Sequence, residues 1–107
     1  MILIVDDDPS VRTSIVQRVQ PEGWIPYECE NGEEALRAFQ ELGNKITVVL
    51  MDVEMPIMDG VIARRKMREV RADVPIILMS GKPQDVEGPF LLKPFSRVQL
   101  LGMLPTS

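Results

Sequence analysis

The sequence predicts an α/β fold in which helices cover both faces of one parallel sheet, a doubly wound arrangement. Short aliphatic runs alternate along the chain with segments whose apolar residues recur at helical spacing. Strands that alternate with helices in this way form parallel sheets through right-handed crossovers. The chain has 107 residues, 45% of them hydrophobic, and no repeat or linker-like segment, so we expect one domain over residues 1–107.

The first strand leads directly into acidic residues that begin a helix. Ile2–Val5 is a continuous aliphatic run, which is typical of a strand buried on both faces. Asp8 can cap the following helix, with Pro9 at its first helical position. Pro21 and Gly23 are expected to end this helix. Its apolar face comprises Val11, Ile15 and Val19.

The second strand is predicted at an edge of the sheet. Trp24–Cys29 has the composition of a strand, but Pro26 within it is tolerated only at a sheet edge. Asn31 can cap the next helix, and Glu34 follows three residues later as the partner in a capping box. The apolar face of that helix comprises Ala35, Leu36 and Phe39.

The rest of the chain continues the alternation, and each of its strands leads into a polar residue. We predict a strand at Ile46–Met51, a helix opened by Asp59 and Gly60 with Ala63, Met67 and Val70 on its apolar stripe, a strand at Pro75–Met79, a short strand at Phe90–Leu92, and a helix capped by Ser96 that runs through Leu104. Only Pro105–Ser107 is expected to be frayed.

Composition excludes several functional classes. Histidine is absent, which rules out histidine-based triads and general bases. Cys29 is the only cysteine, so neither an internal disulfide nor a zinc cluster is expected. The net charge of −4 argues against general nucleic-acid binding. No apolar run approaches the roughly 20 residues that span a bilayer, and no signal peptide is recognised, so we expect a cytoplasmic protein.

Five polar residues follow predicted buried strands. The residues at these strand ends are Asp6, Asp7, Asp52, Ser80 and Lys93. Each taken alone is more often a cap, a turn residue or a solvated charge. Because ligands bind outside the carboxyl ends of parallel strands, however, the five are expected to converge on one pocket.

The chemistry of this predicted pocket favours a cation and a phosphoryl group. Two carboxylates about 4 Å apart repel by about 4 kcal/mol at an effective dielectric near 20, so the acidic groups need compensation. Lys93 supplies one positive charge, and Mg²⁺ prefers such oxygen ligands. A carboxylate can attack phosphorus to form an aspartyl phosphate. Lys93 and the Ser80 hydroxyl would stabilise charge on the transferred group.

Four segments resemble the receiver domain of two-component response regulators. They are Ile4–Arg12 (IVDDDPSVR), Leu50–Gly60 (LMDVEMPIMDG), Met79–Gly81 (MSG) and Leu92–Phe95 (LKPF). The resemblance covers essentially the whole chain and implies the flavodoxin-like five-stranded sheet in the order 2-1-3-4-5. It implies a signalling phosphoacceptor in a phosphorelay rather than an enzyme.

The resemblance also implies a role for each site residue. Asp52 would carry the phosphate as 4-aspartylphosphate. The ligands of Mg²⁺, with Mn²⁺ as an alternative ion, would be Asp6, Asp7, Asp52 and the backbone carbonyl of Glu54. Lys93 would contact the phosphoryl group, and its bond to Pro94 would be cis. Ser80 and Phe90 would be the switch residues, and a plain core role is the alternative for Phe90.

One segment departs from the family pattern. Residues 81–89 connect the fourth and fifth strands and include two glycines and two prolines, so we predict that the usual helix between these strands is missing or reduced to a turn. When extended, the nine residues of this segment span about 30 Å. The crossover has to return only along the length of a short strand, roughly 13 Å. A short connection is similar to that of receivers at the C-terminal end of hybrid histidine kinases, but a stand-alone regulator fits equally well.

The resemblance implies a partner that supplies a phosphohistidine, either a histidine kinase or a histidine phosphotransfer protein. Its expected docking residues are Val11, Ser14, Pro94 and Phe95. No nucleic acid or membrane partner is expected, and the chain would be a monomer or a weak dimer. The basic residues of the third helix are either a solvated face or a docking patch; they are Arg64, Arg65, Lys66, Arg68 and Arg71.

Two other functions compete with the phosphoacceptor. A receiver-like binding module that works without phosphorylation is disfavoured because all five functional positions are present. A Mg²⁺-dependent phosphatase would need an aspartate two residues after its nucleophile, where this chain has Glu54. The Glu54 side chain, beside the acceptor, is expected to alter access of the hydrolytic water and so the lifetime of the phosphate.

Overall fold

The computed structural model describes residues 1–105 as one five-stranded parallel sheet with helices on both faces. The strands are β1 (Ile2–Val5), β2 (Pro26–Cys29), β3 (Val48–Asp52), β4 (Ile76–Ser80) and β5 (Phe90–Leu92). The α-helices are α1 (Pro9–Val19), α2 (Gly32–Leu42), α3 (Gly60–Val70) and α4 (Arg97–Met103). The strand order is β2-β1-β3-β4-β5, and every pairing is parallel. The predicted fold and strand order are confirmed.

The sheet separates two apolar layers. On one face, Leu3 and Val5 of β1 pack with residues of α2 and α3, such as Phe39. On the other face, the alternate residues of β1 pack with α1, Trp24 and α4. The central strands therefore bury side chains on both faces, which explains why their sequences are continuous aliphatic runs rather than alternating ones.

Each α-helix begins at a side-chain cap. The sequence predicted the caps Asp8, Asn31 and Ser96, and it placed the start of the third helix at Asp59 and Gly60. The side chains of Asp8, Asn31, Asp59 and Ser96 accept hydrogen bonds from backbone N–H groups of the first turn of α1, α2, α3 and α4 respectively. These bonds satisfy N–H groups that have no partner within the helix. The capping box predicted between Asn31 and Glu34 is formed only in part: Asn31 accepts from the Glu34 N–H, but no reciprocal bond to the Glu34 side chain is found within residues 1–105. A complete capping box joins Ser96 and Gln99 at the start of α4.

The element boundaries differ slightly from those predicted. β2 begins at Pro26 because the proline lacks an N–H group and is accommodated as the first residue of a strand. Trp24, predicted to be in this strand, instead donates its backbone N–H to the Val19 carbonyl. Short 3₁₀ turns at Gln20–Glu22 and Gly43–Lys45 were not predicted. Thr106 and Ser107, in the segment expected to be frayed, lie outside the described residues.

The segment from residue 81 to residue 89 contains no helix, as predicted. It is held against the α2 and α3 face of the sheet at two points. Val86 packs on the apolar cluster of that face, and the Arg64 guanidinium donates a hydrogen bond to the Glu87 carbonyl. This crossover is therefore a fixed, irregular strap rather than a helix. None of the helices within residues 1–105 is long and apolar enough to cross a membrane.

Candidate functional site

The carboxyl edge of the sheet gathers the predicted polar residues. Asp52 and Ser80 are the last residues of β3 and β4, while Asp6 and Lys93 directly follow β1 and β5. Asp6, Asp52 and Ser80 are almost fully buried, with exposed fractions of 1%, 4% and 0%. Asp7 is exposed at the mouth. Buried polar groups in such a position require partners, and each of the three has at least one.

Three carboxylates and one ammonium group form the centre of the site. One carboxylate oxygen from each of Asp6, Asp7 and Asp52 lies within 4.8 Å of the others. The Lys93 ammonium donates to Asp6 Oδ2 at 2.7 Å and to Asp52 Oδ1 at 3.0 Å. With all three carboxylates ionised, one lysine leaves two negative charges uncompensated. The donor set, which is entirely hard oxygen, fits Mg²⁺ in both charge and chemistry.

The surroundings of Asp52 and Lys93 shift the pKa of each group. Burial raises the pKa of Asp52 to about 6, and the nearby charges of Asp6 and Glu54 act in the same direction. The hydrogen bond from Lys93 opposes that rise without cancelling it. Burial alone would lower the pKa of Lys93, but its hydrogen bonds to Asp6 and Asp52 raise it. Lys93 is therefore charged, and Asp52 still favours a further cation.

The Ser80 hydroxyl is engaged by groups outside the acidic centre. It donates to the Glu54 carboxylate, 2.7 Å from Oε1 and 3.1 Å from Oε2. The Gln84 side-chain amide donates to Glu54 Oε2 at 2.6 Å and to Ser80 Oγ at 3.2 Å. The backbone N–H of Lys82 also donates to Ser80 Oγ, at 3.2 Å. Sequence reasoning missed Gln84, because a glutamine in a loop gives no signal of the group it will meet.

A groove beside the site contains the predicted docking residues. It has a volume of about 400 Å³ and is lined by Ser10, Val11, Ser14, Ile15, Arg18, Lys93, Pro94 and Phe95. The Arg18 guanidinium donates to the Phe95 carbonyl at 2.8 Å and lies over the Phe95 ring, which joins α1 to the loop after β5. The Lys93–Pro94 peptide bond is cis, as the resemblance implied.

The contacts of Phe90 and of the basic residues around α3 bear on two predictions that each had two interpretations. Phe90 pairs with Leu78 in the sheet and packs, partly exposed, against the α2 and α3 apolar cluster. The guanidinium groups of Arg64 and Arg68 on α3, and of Arg71 directly after its last residue, donate to backbone carbonyls of neighbouring segments. These three arginines therefore tie loops to α3, whereas Arg65 and Lys66 are exposed.

Comparison with known sequences finds one family. The profile of the response regulator receiver domain matches residues 2–104. The sensor kinase CckA of Brucella abortus is 37% identical over 108 residues, which cover 92% of this chain and 11% of that protein. The transcriptional regulatory protein SrrA of Staphylococcus aureus is 34% identical over 104 residues, which cover 89% of this chain and 42% of SrrA. The chain thus spans less than half the length of these relatives.

Solved structures with the same fold include other receivers. The receiver domain of the hybrid histidine kinase CckA superposes with a TM-score of 0.84 at 31% identity, covering 94% of this chain and 92% of that one. The response regulator TrrA of Thermotoga maritima, solved in complex with Mg²⁺ and beryllium fluoride, superposes with a TM-score of 0.83 at 31% identity, covering 96% and 97%. The chemotaxis protein CheY4 of Vibrio cholerae gives a TM-score of 0.86 at 26% identity, covering 94% and 92%.

Proposed function

Because this chain belongs to the response regulator receiver domain family, we propose that its Asp52 accepts a phosphoryl group from a phosphohistidine on a partner protein. The observation that carries the proposal is the placement of Asp52. Its carboxylate is buried at the end of β3, 3.0 Å from the Lys93 ammonium and within 4.8 Å of two further carboxylates. The chain contains no histidine, so the donor must be another protein or another part of a longer chain.

The transfer is an in-line displacement at phosphorus. A carboxylate oxygen of Asp52 forms the new P–O bond while the P–N bond to the imidazole breaks, and the leaving imidazole takes up a proton. The Lys93 ammonium stabilises negative charge on the transferred group. The residues that would hold Mg²⁺, or Mn²⁺ in its place, are Asp6, Asp7, Asp52 and the carbonyl of Glu54. The ion would neutralise the carboxylates and the phosphoryl oxygens.

Ser80 and Phe90 complete the proposed switch. The Ser80 hydroxyl, at the end of the neighbouring strand β4, would turn to donate to a phosphoryl oxygen on Asp52. Phe90 lies on the next strand and is partly exposed, and its ring would move together with Ser80. The same residues would assist hydrolysis of the aspartyl phosphate, which makes the domain a signalling phosphoacceptor rather than an enzyme with a separate substrate.

The phosphohistidine donor is proposed to be a histidine kinase or a histidine phosphotransfer protein that binds the groove next to the site. Val11, Ser14, Pro94 and Phe95 line this groove, and Lys93 belongs both to the groove and to the acidic centre. A donor helix seated there would therefore be adjacent to Asp52. Cytoplasmic location, a monomeric or weakly dimeric state, and a single domain over residues 1–107 are part of the same proposal.

The proposal is tested by phosphorylation with a small donor. The protein is incubated with phosphoramidate or acetyl phosphate and Mg²⁺, and intact mass is measured. We expect the gain of one phosphoryl group, its loss in Asp52→Asn, and its retention in Asp73→Asn, whose side chain is 83% exposed. Absence of the modification would support a phosphorylation-independent binding module. Continuous turnover of assorted phosphate esters would support a phosphatase.

A further inference from the structure

We propose that Gln84 and Glu54 hold the Ser80 hydroxyl in a hydrogen-bonded clasp that opposes phosphorylation, so that the helix-free segment 81–89 sets how readily the domain switches. The clasp is defined as the side chains of Glu54, Ser80 and Gln84. The inference rests on the proposed role of Asp52 as the phosphoacceptor. It adds to that role a residue, Gln84, that is not part of the acidic centre.

The Ser80 hydroxyl uses its whole capacity for hydrogen bonds within the clasp. A serine hydroxyl has one proton to donate and two lone pairs with which to accept. Its proton is directed at the Glu54 carboxylate at 2.7 Å, and its lone pairs face the Lys82 N–H and the Gln84 amide, both at 3.2 Å. Ser80 is also fully buried, so water does not compete for it. Ser80 therefore cannot donate to a phosphoryl oxygen on Asp52 until its bond to Glu54 breaks.

Gln84 lies against both Glu54 and Ser80. Its amide donates to Glu54 Oε2 at 2.6 Å while also reaching Ser80 Oγ, so one side chain contacts both members of the bond that must break. A hydrogen bond to a charged acceptor is among the stronger ones, and it fixes the Glu54 carboxylate in the direction of Ser80. Gln84 thus acts on the reaction through Glu54 and Ser80 and is a positioning residue.

The short crossover between β4 and β5 carries Gln84. Residues 81–89 run across this face without forming a helix, and they are fixed at Val86 and at the Glu87 carbonyl. The stretch from Gly81 to Asp85 lies between those anchors and Ser80. A phosphoryl group on Asp52 adds negative charge beside the Glu54 carboxylate, which repels it. When the clasp opens, the stretch from Gly81 to Asp85 loses its contacts with Ser80 and Glu54. The phosphorylated and unphosphorylated states then differ in the structure of this stretch.

Two substitutions test the clasp. Gln84→Leu removes the amide, and Gln84→Glu keeps the shape while replacing a donor with a like charge facing Glu54. We expect Gln84→Leu to raise the affinity for beryllofluoride with Mg²⁺, a phosphoryl mimic, by about three- to tenfold, where tenfold corresponds to about 1.4 kcal/mol. Gln84→Glu should raise it less, because its carboxylate opens the clasp but also repels the anionic mimic. Bound beryllofluoride is measured by ¹⁹F NMR. Asp85→Asn, an exposed neighbour in the same segment, is the matched control and should leave the affinity unchanged.

A double exchange separates positioning from mere structural support. Glu54→Gln combined with Gln84→Glu restores one amide and one carboxylate with their places reversed, so beryllofluoride affinity should fall back toward the wild-type value. Amide hydrogen exchange at Lys82, whose N–H donates to Ser80 Oγ, should rise on beryllofluoride binding in the wild type and should already be high in Gln84→Leu. Unchanged affinity in both single variants would overturn the clasp, as would failure of the double exchange to reverse the effect.

The proposed function and the clasp fail in different ways. If the wild-type protein neither binds beryllofluoride nor gains a phosphoryl group at Asp52, the proposed function is wrong and the clasp falls with it. If the wild type is modified at Asp52 while the Gln84 variants bind beryllofluoride with wild-type affinity, only the clasp is wrong. Thermal unfolding of each variant establishes that it is folded before the affinities are compared.

Discussion

Burial of the ionised Asp52 carboxylate destabilises the folded state, and this effect should be measurable in the free energy of unfolding. The pKa of Asp52 is about 6 in the folded chain, against 3.8 for an ordinary aspartate, chiefly because the carboxyl is desolvated. Between about pH 4 and pH 6 the folded state keeps a proton that the unfolded state has lost. Protonated Asp52 therefore gives the folded state its full stabilisation below about pH 4. This stabilisation is lost as the pH rises through about 6. At 1.36 kcal/mol per pKa unit, ionisation of Asp52 lowers the free energy of unfolding by about 3 kcal/mol.

Asp52→Asn, which resembles the protonated carboxyl, should therefore stabilise the chelator-treated protein at pH 7.5. We expect a gain in the free energy of unfolding of about 2–3 kcal/mol from urea titration, shrinking to near zero at pH 4. Asp73→Asn, at an exposed site, should show no comparable gain at either pH. A gain for Asp52→Asn that is the same at pH 4 and pH 7.5 would contradict the electrostatic account.

Ile57 occupies a strained backbone position beside the site. Its φ is +71°, and the Met58 N–H donates to the Pro56 carbonyl at 2.7 Å, so the three residues form the uncommon γ-turn with positive φ. A β-branched side chain is disfavoured at positive φ by about 1–2 kcal/mol. The Ile57 side chain is 74% exposed, so little packing offsets the strain.

Ile57→Gly should accordingly stabilise the fold. Glycine removes the backbone strain at positive φ, and this gain exceeds the additional conformational entropy that glycine loses on folding. We expect the free energy of unfolding, measured in urea, to increase by about 0.5–1 kcal/mol. Val98→Gly is the matched comparison, because Val98 is also exposed, at 80%, but lies within α4. That change should destabilise the protein by a few tenths to about 1 kcal/mol. Destabilisation by both changes would show that Ile57 is not strained.

At the scale of elements, Gly60 permits the start of α3 to approach β3. A Cβ built on Gly60 would lie 2.3 Å from the carbonyl oxygen of Asp52, a backbone atom that has no freedom to move aside. Gly60 also donates its N–H to the Val53 carbonyl at 2.9 Å. The N-terminus of α3 therefore packs directly against the strand end that carries Asp52, the proposed acceptor.

Gly60→Ala should destabilise the protein by about 1–3 kcal/mol, as overpacking of a tight contact does. Gly102→Ala serves as the opposite case, since Gly102 lies in α4 and a Cβ added there would meet nothing within 4 Å. Alanine there should stabilise α4 by up to about 1 kcal/mol. Both free energies follow from urea unfolding, and equal effects of the two changes would refute the packing argument.

The elements were predictable where their cause is local. Caps such as Asp8 and aliphatic runs such as Ile2–Val5 are decided by neighbouring residues and by burial, and the convergence of strand-end residues follows from parallel topology. The bond between Gln84 and Glu54 joins residues thirty positions apart, and it depends on the path of an irregular segment. The γ-turn at Ile57 was equally unforeseeable, since isoleucine argues against the backbone that it adopts.

The molecule as a whole couples folding to the charge of its site. Carboxylates distant in sequence come within 4.8 Å only when β1 and β3 pair, so a cation bound there stabilises the folded state alone. At ten times its dissociation constant, Mg²⁺ should raise the free energy of unfolding by about 1.4 kcal/mol. Thermal unfolding measured against Mg²⁺ concentration, at constant ionic strength with NaCl, separates this linkage from screening.

Asp6→Asn should abolish most of the Mg²⁺-dependent shift, because it removes a buried carboxylate that is a proposed ligand of the ion and that also accepts a hydrogen bond from Lys93. Glu41→Gln, on the exposed surface of α2, should keep the shift at its wild-type size. If NaCl at matched ionic strength produced the same stabilisation as Mg²⁺, the effect would be general screening of the protein's net charge of −4, and the acidic centre would not be a cation site. A shift that depends on Asp6 and on the divalent ion together requires the geometry that the parallel sheet imposes on its strand ends.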